Sequence, residues 1–124
     1  MRALVIDDSR AVRMVLCKFL RELGHESVEA GDGLEALTQL EVSEQVDIAL
    51  VDWNMPNMNG LEFVKAVRSQ RTYDEMRIMM VTTETEIEKV ALALEAGANE
   101  YVMKPFTKEM IQEKLRLLTE CPIS

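Results

Sequence analysis

The sequence predicts an α/β fold in which a doubly wound, five-stranded parallel sheet is covered by five helices. Two features carry that prediction. Short, nearly continuous apolar runs recur along the chain, of which Val46-Asp47-Ile48-Ala49-Leu50-Val51 is the clearest, and strands of that kind are buried on both faces, as in parallel sheets. Between the runs lie longer stretches whose apolar residues repeat at helical spacing. This alternation means right-handed crossovers between parallel strands. The 124 residues amount to one domain, taken as a single unit over residues 1–124.

Ala3-Leu4-Val5-Ile6 is the first strand, ended by Asp7-Asp8-Ser9. Val12, Leu16, Phe19, Leu20 and Leu23 then recur at helical spacing, and Gly24 supplies the stop. Ser27-Val28-Glu29-Ala30 is the second strand, and the Gly31-Asp32-Gly33 turn opens a helix marked by Leu34, Leu37 and Leu40. Asp52 closes the third strand. A turn-rich segment follows, Asn54-Met55-Pro56-Asn57-Met58-Asn59-Gly60, before a third helix carrying Leu61, Val64 and Val67. Ile78-Met79-Met80-Val81 is the fourth strand; Ile87, Val90, Ala91 and Leu94 mark a helix ending at Gly97. Glu100-Tyr101-Val102-Met103 is the fifth strand. The last helix carries Met110, Ile111, Leu115 and Leu118, with Thr107 as its N-cap.

A hydrophobic share of 48% with 29% charged residues is that of a soluble globular protein. The net charge of −8, with no basic stripe to offset it, argues against nucleic-acid binding and against docking on an anionic membrane. No apolar run approaches a membrane span, and the first is too short for a signal peptide, so the expected location is the cytoplasm. Cys17 and Cys121 read as free thiols, with no disulfide and no zinc site. His25, the only histidine, reads as a turn residue. Trp53 is expected to stand exposed beside the site. Met55, Met58, Met79, Met80, Met103 and Met110 read as core or adaptable surface.

In an open parallel sheet every strand's carboxyl end points to one edge, where ligands bind. Asp7 and Asp8 follow the first strand, Asp52 the third, Thr82 the fourth and Lys104 the fifth. Three carboxylates gathered at about 4 Å repel by on the order of 4 kcal/mol per pair at an effective dielectric near 20. A cation among them relieves that repulsion. An all-oxygen ligand set selects a hard ion, and a cluster this small suits Mg²⁺ retaining several waters. Asp52, alone at the tip of the central strand, is the natural nucleophile for a phosphoryl group. Asp7 and Asp8 are better placed to hold the metal, with Asp8 expected to bind it directly and Asp7 through water, although spacing alone does not decide between them. Two consecutive acids exceed what capping a helix needs. Lys104 supplies a point charge for phosphoryl oxygens, and Thr82 a hydroxyl for an oxygen that appears only after modification.

Four pieces, in order and at this spacing, resemble the receiver domains of two-component response regulators from end to end. They are Leu4-Val5-Ile6-Asp7-Asp8-Ser9, Val51-Asp52-Trp53-Asn54-Met55-Pro56-Asn57-Met58-Asn59-Gly60, Met80-Val81-Thr82 and Val102-Met103-Lys104-Pro105-Phe106. Asp52-Trp53-Asn54-Met55-Pro56 and Tyr101 make the chain most similar to the family's chemotaxis members. The resemblance implies a flavodoxin-like fold with Asp52 as the phosphorylated residue. It implies Mg²⁺ held by Asp7, Asp8, Asp52 and the backbone carbonyl of Asn54. Lys104 would bind a phosphoryl oxygen, its peptide to Pro105 being cis. Thr82 would move toward the phosphoryl group and Tyr101 turn inward behind it. Asn54 and Glu84 stand at the two positions that tune phosphoryl lifetime, and this pair implies fast self-hydrolysis.

The function so implied is that of a stand-alone, monomeric response regulator without an output domain. It takes phosphoryl from a histidine kinase, in a reaction it assists without being a turnover enzyme. Output is binding to another protein through the fourth helix, fifth strand and fifth helix, with chemotaxis and the flagellar motor switch as the implied setting. Where chemotaxis members begin their fourth helix with lysines, this chain has Thr85-Glu86-Ile87-Glu88, a more acidic and more apolar face. The alternative is a phosphorelay intermediate that passes the group to a histidine phosphotransfer protein. Two further classes fit less well. An Asp-nucleophile phosphatase would carry Asp-x-Asp after its first strand and a lid, and a flavin carrier would need hydroxyls and glycines where Asp7 and Asp8 stand.

Overall fold

The computed structural model describes residues 1–43, 45–83 and 87–120. Glu84, Thr85, Glu86 and Cys121 lie outside them, and with them the tuning role expected of Glu84 and most of the acidic start expected for the fourth helix. The elements run β1 (Arg2–Ile6), α1 (Arg10–Glu22), β2 (Glu26–Ala30), α2 (Gly33–Val42), β3 (Ile48–Asp52) and α3 (Gly60–Arg68). A 3₁₀ turn at Arg71–Tyr73, not anticipated from sequence, precedes β4 (Arg77–Thr82), α4 (Ile87–Ala96), β5 (Glu100–Met103) and α5 (Lys108–Glu120).

The five strands form one sheet in the order β2-β1-β3-β4-β5, and every neighbouring pair is parallel. The chain therefore steps outward from β1 to β2, jumps back across β1 to β3, and continues the other way. Right-handed crossovers in opposite directions place helices on opposite faces. Side chains alternate accordingly. Ala3, Val5, Ile48, Leu50, Met79, Val81 and Val102 pack with Leu16 and Leu20 of α1 and with Ile111 and Leu115 of α5. Leu4, Ile6, Ala49, Val51, Ile78 and Met80 pack on the other face with residues of α2, α3 and α4, among them Ala36, Phe63, Val64, Val67 and Ala93. Each fully buried Leu, Ile or Phe of these layers contributes about 1.5–3 kcal/mol of transfer free energy.

The helix starts follow their caps. The side chain of Ser9 accepts the Val12 N–H to open α1, Asp32 accepts that of Glu35 for α2, and Asn59 forms a reciprocal capping box with Glu62 for α3. Thr107 Oγ1 accepts the Met110 N–H at the start of α5. α1 stops where Gly24 takes φ 91°, a conformation that costs glycine little.

Two helical stripes sit differently from expectation. On α2 the buried positions are Gly33, Ala36 and Leu40, so Leu34, one residue and about 100° round from Gly33, is half exposed. On α4, Val90 and Ala93 are buried, while Ala91 and Leu94 are exposed. Cys17 is a free, half-buried thiol. Among the described residues no helix is long and apolar enough to cross a membrane.

Arg68, at the end of α3, ties together the sheet edge where β4 and β5 begin. Its guanidinium donates to the carbonyls of Gly97 (3.0 Å), Tyr73 (2.7 Å) and Met76 (2.7 Å), and to Asn99 Oδ1 (3.0 Å). Asn99 Oδ1 in turn accepts the Ile78 N–H at 2.8 Å.

Candidate functional site

The opposite edge collects the chemistry. Asp7 follows β1, Asp52 ends β3, Thr82 ends β4 and Lys104 follows β5. Ile6 is level with Val51 in the register, so Asp7 and Asp52 emerge side by side where the chain reverses its direction across the sheet. That is where an open α/β sheet leaves a crevice. One carboxylate oxygen from each of Asp7, Asp8 and Asp52 lies within 4.8 Å of the others. Asp7 and Asp52 are buried and Asp8 is exposed. The Lys104 ammonium donates to Asp52 Oδ1 at 3.2 Å and to Asp7 Oδ2 at 3.4 Å. The four residues that bring this about come from three strand ends, far apart in sequence and adjacent only through the parallel topology.

Local structure leaves these acids available. Ser9 caps α1, so neither Asp7 nor Asp8 is spent as the cap. Asp7 Oδ1 accepts the Ser9 N–H at 2.8 Å, which turns Oδ2 toward Lys104. The Asp7 carbonyl accepts a 2.6 Å hydrogen bond from Arg13, whose Nε also donates to Glu29. Lys104 is set in place by its own backbone N–H, which donates to the Thr82 carbonyl at 2.7 Å, and the Lys104–Pro105 peptide is cis. Gly60 lets α3 start against β3. A Cβ there would lie 2.6 Å from the Asp52 carbonyl oxygen, and the Gly60 N–H donates to the Trp53 carbonyl at 2.9 Å.

Burial, and then the charge of Asp7, push the Asp52 carboxyl up to about 6, against the opposing pull of Lys104. Burial alone would lower Lys104, but the charges of Asp52 and Asp7 outweigh it and hold the ammonium above its ordinary value. One ammonium among three carboxylates leaves the site short of positive charge. The all-oxygen donor set fits a hard divalent cation.

Thr82 is fully buried, and its hydroxyl has no hydrogen-bond partner among the described residues. A buried hydroxyl in that state is costly, and it stands level with Met103, next to Lys104. Tyr101 is half-buried on the neighbouring strand, opposite Met80, with the Lys114 ammonium 5.2 Å from its ring centroid. Asn54 is exposed in the loop after Asp52. Trp53 differs from expectation: only 5% of it is exposed, because its side chain joins the core layer that contains Phe63 and Ala93. The Lys89 ammonium of α4 lies 5.8 Å from its ring centroid.

The supporting contacts were not anticipated. Arg13 follows Ser9 by one helical turn, a spacing that could have placed it beside the acid pair. The bond from Asn57 to Asp32 and the four bonds of Arg68 join segments distant in sequence, and no local signal announces them.

Residues 3–116 match the response regulator receiver domain family. The chain belongs to that family. It is 48% identical over 116 residues to a chemotaxis protein CheY homolog of Campylobacter jejuni, covering 93% of this chain and 89% of that one. It is 44% identical over 119 residues to the chemotaxis protein CheY1 of Helicobacter pylori, covering 95% and 96%. Among solved structures, the chemotaxis protein CheY4 of Vibrio cholerae superposes with a TM-score of 0.87 at 38% identity, covering 94% of this chain and 97% of that one. The flavodoxin-like doubly wound fold is thus shared with these receivers.

Proposed function

We propose that this receiver takes a phosphoryl group on Asp52 from the phosphohistidine of a histidine kinase and signals by binding another protein in the phosphorylated state. The observation that carries this reading is the contact of the Asp52 carboxylate with Lys104, directly beside the carboxylates of Asp7 and Asp8. A carboxylate oxygen of Asp52 attacks phosphorus, the P–N bond breaks, and its electrons return to the imidazole, which takes up a proton. Lys104 offsets charge on the transferring oxygens. Mg²⁺ held by Asp7, Asp8, Asp52 and the Asn54 carbonyl would supply further electrostatic stabilisation of those oxygens. In the acyl phosphate the Thr82 hydroxyl gains the acceptor it lacks, which biases a two-state protein toward the form in which Thr82 and Tyr101 have moved. Hydrolysis by water at phosphorus, tuned by Asn54 and Glu84, returns Asp52 and inorganic phosphate.

The names of the relatives from Campylobacter jejuni and Helicobacter pylori support chemotaxis as the pathway. A flagellar motor switch component is the corresponding output partner.

Trp53 fluorescence tests this, with Mg²⁺ titrated first, acetyl phosphate added next, and Asp52→Asn as control. A Mg²⁺-dependent change with acetyl phosphate, absent in the variant and matched by a phosphoryl group on the intact mass, supports the acceptor role. Its decay gives the lifetime, and a long one would favour the relay reading over fast self-hydrolysis. No phosphoryl group on the wild-type mass overturns the reading.

A further inference from the structure

The loop from Trp53 to Asn59 is fastened to the start of α2 by an unusual pair of contacts. Asn57 is the only non-glycine residue with a positive φ among those described, at 67°, a conformation asparagine tolerates better than other side chains. From there its Nδ2 donates to Asp32 Oδ2 at 2.8 Å. The other oxygen of the same carboxylate, Oδ1, accepts the Glu35 N–H at 2.8 Å and so caps α2. The Glu35 N–H first, and then Asn57, hold the Asp32 carboxyl below its ordinary value. One ionised carboxylate thus serves two partners from two elements. The next residues repeat the attachment: Met58 packs over Gly33 so closely that a Cβ on the glycine would meet Met58 Cγ at 2.6 Å. Asn59 is then fixed by its capping box. Between Trp53, packed into the core layer, and this clamp lie only Asn54, Met55 and Pro56, of which Met55 packs against the same layer and Pro56 accepts the Met58 N–H through its carbonyl at 2.6 Å.

We propose that Asp32 and Asn57 are positioning residues for the cation site. By fixing the path of the short span that carries Asn54, they raise the affinity of the acidic cluster for Mg²⁺. The inference rests on the reading of Asp7, Asp8, Asp52 and Asn54 as the Mg²⁺ ligands, and neither Asp32 nor Asn57 touches the ion in it.

Two substitutions cut the contact while sparing its surroundings. Asp32→Ser keeps an oxygen that caps α2 but loses the one that reaches Asn57. Asn57→Gly keeps the left-handed backbone and loses the amide. Titration calorimetry with MgCl₂ alone, on the full chain, reads the affinity of the wild type, both single variants and the double variant. Urea denaturation without Mg²⁺ accompanies it, to show that each variant is folded. Each single variant is expected to weaken Mg²⁺ binding about three- to tenfold. The double variant is expected to be no weaker than the weaker single one, because both remove one shared contact. Wild-type affinity in both singles, or a double variant whose loss is the product of the two, overturns the positioning role while leaving the Mg²⁺ site intact. A wild-type protein that binds no Mg²⁺ overturns the site reading as well, so the two failures are told apart by the wild-type titration.

Discussion

The Lys104 ammonium lies 3.2 Å from Asp52 Oδ1 and is the single cation in hydrogen-bond contact with that carboxylate among the described residues. The pair is not a simple stabilising bridge. Both groups are largely withdrawn from water, so their attraction is set against desolvation, and a second carboxylate, Asp7, shares the same ammonium at 3.4 Å. Removing the cation leaves clustered acids with nothing to offset them, which costs more than the bridge itself contributes. Lys104→Ala is expected to destabilise the Mg²⁺-free protein by about 2–4 kcal/mol at neutral pH, and added Mg²⁺ is expected to recover part of that loss. Phosphoryl uptake from acetyl phosphate should nevertheless fall by at least tenfold at saturating Mg²⁺. Urea denaturation with and without MgCl₂, alongside the rate of phosphoryl incorporation, separates the two effects.

Asp52 carries a pH signature whose sign is the reverse of the common carboxylate case. Its carboxyl moves from 3.8 to about 6 on folding, so between those values the folded chain binds more protons than the unfolded one. Stability contributed by this group is therefore full below about pH 4 and is lost as the pH rises toward 6, remaining lost above. At about 1.4 kcal/mol per pH unit, and with the crevice open to solvent on one side, the loss is about 1–3 kcal/mol. Asp52→Asn escapes it. Without Mg²⁺ the variant is expected to be more stable than wild type at pH 7.5 by that amount, with the gap closing below pH 4. Denaturation midpoints of both proteins across pH 4–8 give the answer, and a constant gap would refute the assignment to Asp52.

What could be read from sequence and what could not divides along physical lines. Asp7, Asp52, Thr82 and Lys104 were found because each directly follows or ends an apolar strand, and parallel pairing brings all such ends to one edge. The reading needed element order alone. Trp53 is buried rather than exposed because its side chain packs into the layer with Phe63 and Ala93, a contact that element order does not reveal. Leu34 and Leu94 were misjudged because several leucines on one short helix offer more than one apolar stripe, and packing against the sheet selects among them. Arg68, Arg13 and the Asp32–Asn57 bond were not visible at all. Side chains that satisfy distant backbone or loop groups depend on the finished fold, and no periodicity encodes them.

Gly60 offers a test of how tightly α3 abuts β3. In an exposed helix, Gly→Ala is stabilising by about 0.5–1 kcal/mol. Here the added methyl carbon would lie 2.6 Å from the Asp52 carbonyl oxygen and 2.9 Å from Met80 Cε. The methionine end can move, but the carbonyl belongs to the central strand. The clash outweighs the propensity gain, and Gly60→Ala is expected to destabilise by about 1–3 kcal/mol. Thermal or urea denaturation of the purified variant reads the sign directly.

Arg68 supplies the contrasting case, a residue important to the fold and remote from the chemistry. Its four acceptors lie where β4 and β5 begin, at the far edge from Asp52. Arg68→Met keeps much of the aliphatic stem and takes one donor each from three carbonyls and Asn99 Oδ1, the last still accepting the Ile78 N–H. The expected loss is about 2 kcal/mol, in the range for hydrogen bonds to a charged group. The Mg²⁺ affinity and the rate of phosphoryl uptake by the folded variant should stay within about twofold of wild type, and a larger change would show that this edge is coupled to the site.

In the proposed switch, Thr82 sets stability against function. Its side chain is fully buried, and its hydroxyl has no partner among the described residues. A buried hydroxyl without a partner costs about 1–3 kcal/mol, so natural selection for stability alone would favour a residue of the same shape without the oxygen. Valine is that residue. Thr82→Val is expected to stabilise the unphosphorylated protein by about 1 kcal/mol in urea denaturation. Thr82→Ser keeps the oxygen but deletes a buried methyl group, and is expected to destabilise by about the same amount. The order reverses in the response to phosphorylation. With Mg²⁺ and acetyl phosphate, the serine variant should retain the Trp53 fluorescence change while the valine variant loses most of it, although both carry a phosphoryl group by intact mass. A valine variant that is no more stable than wild type would mean that the hydroxyl is already satisfied before phosphorylation. One that is more stable and still responds fully would mean that the oxygen is dispensable to the switch.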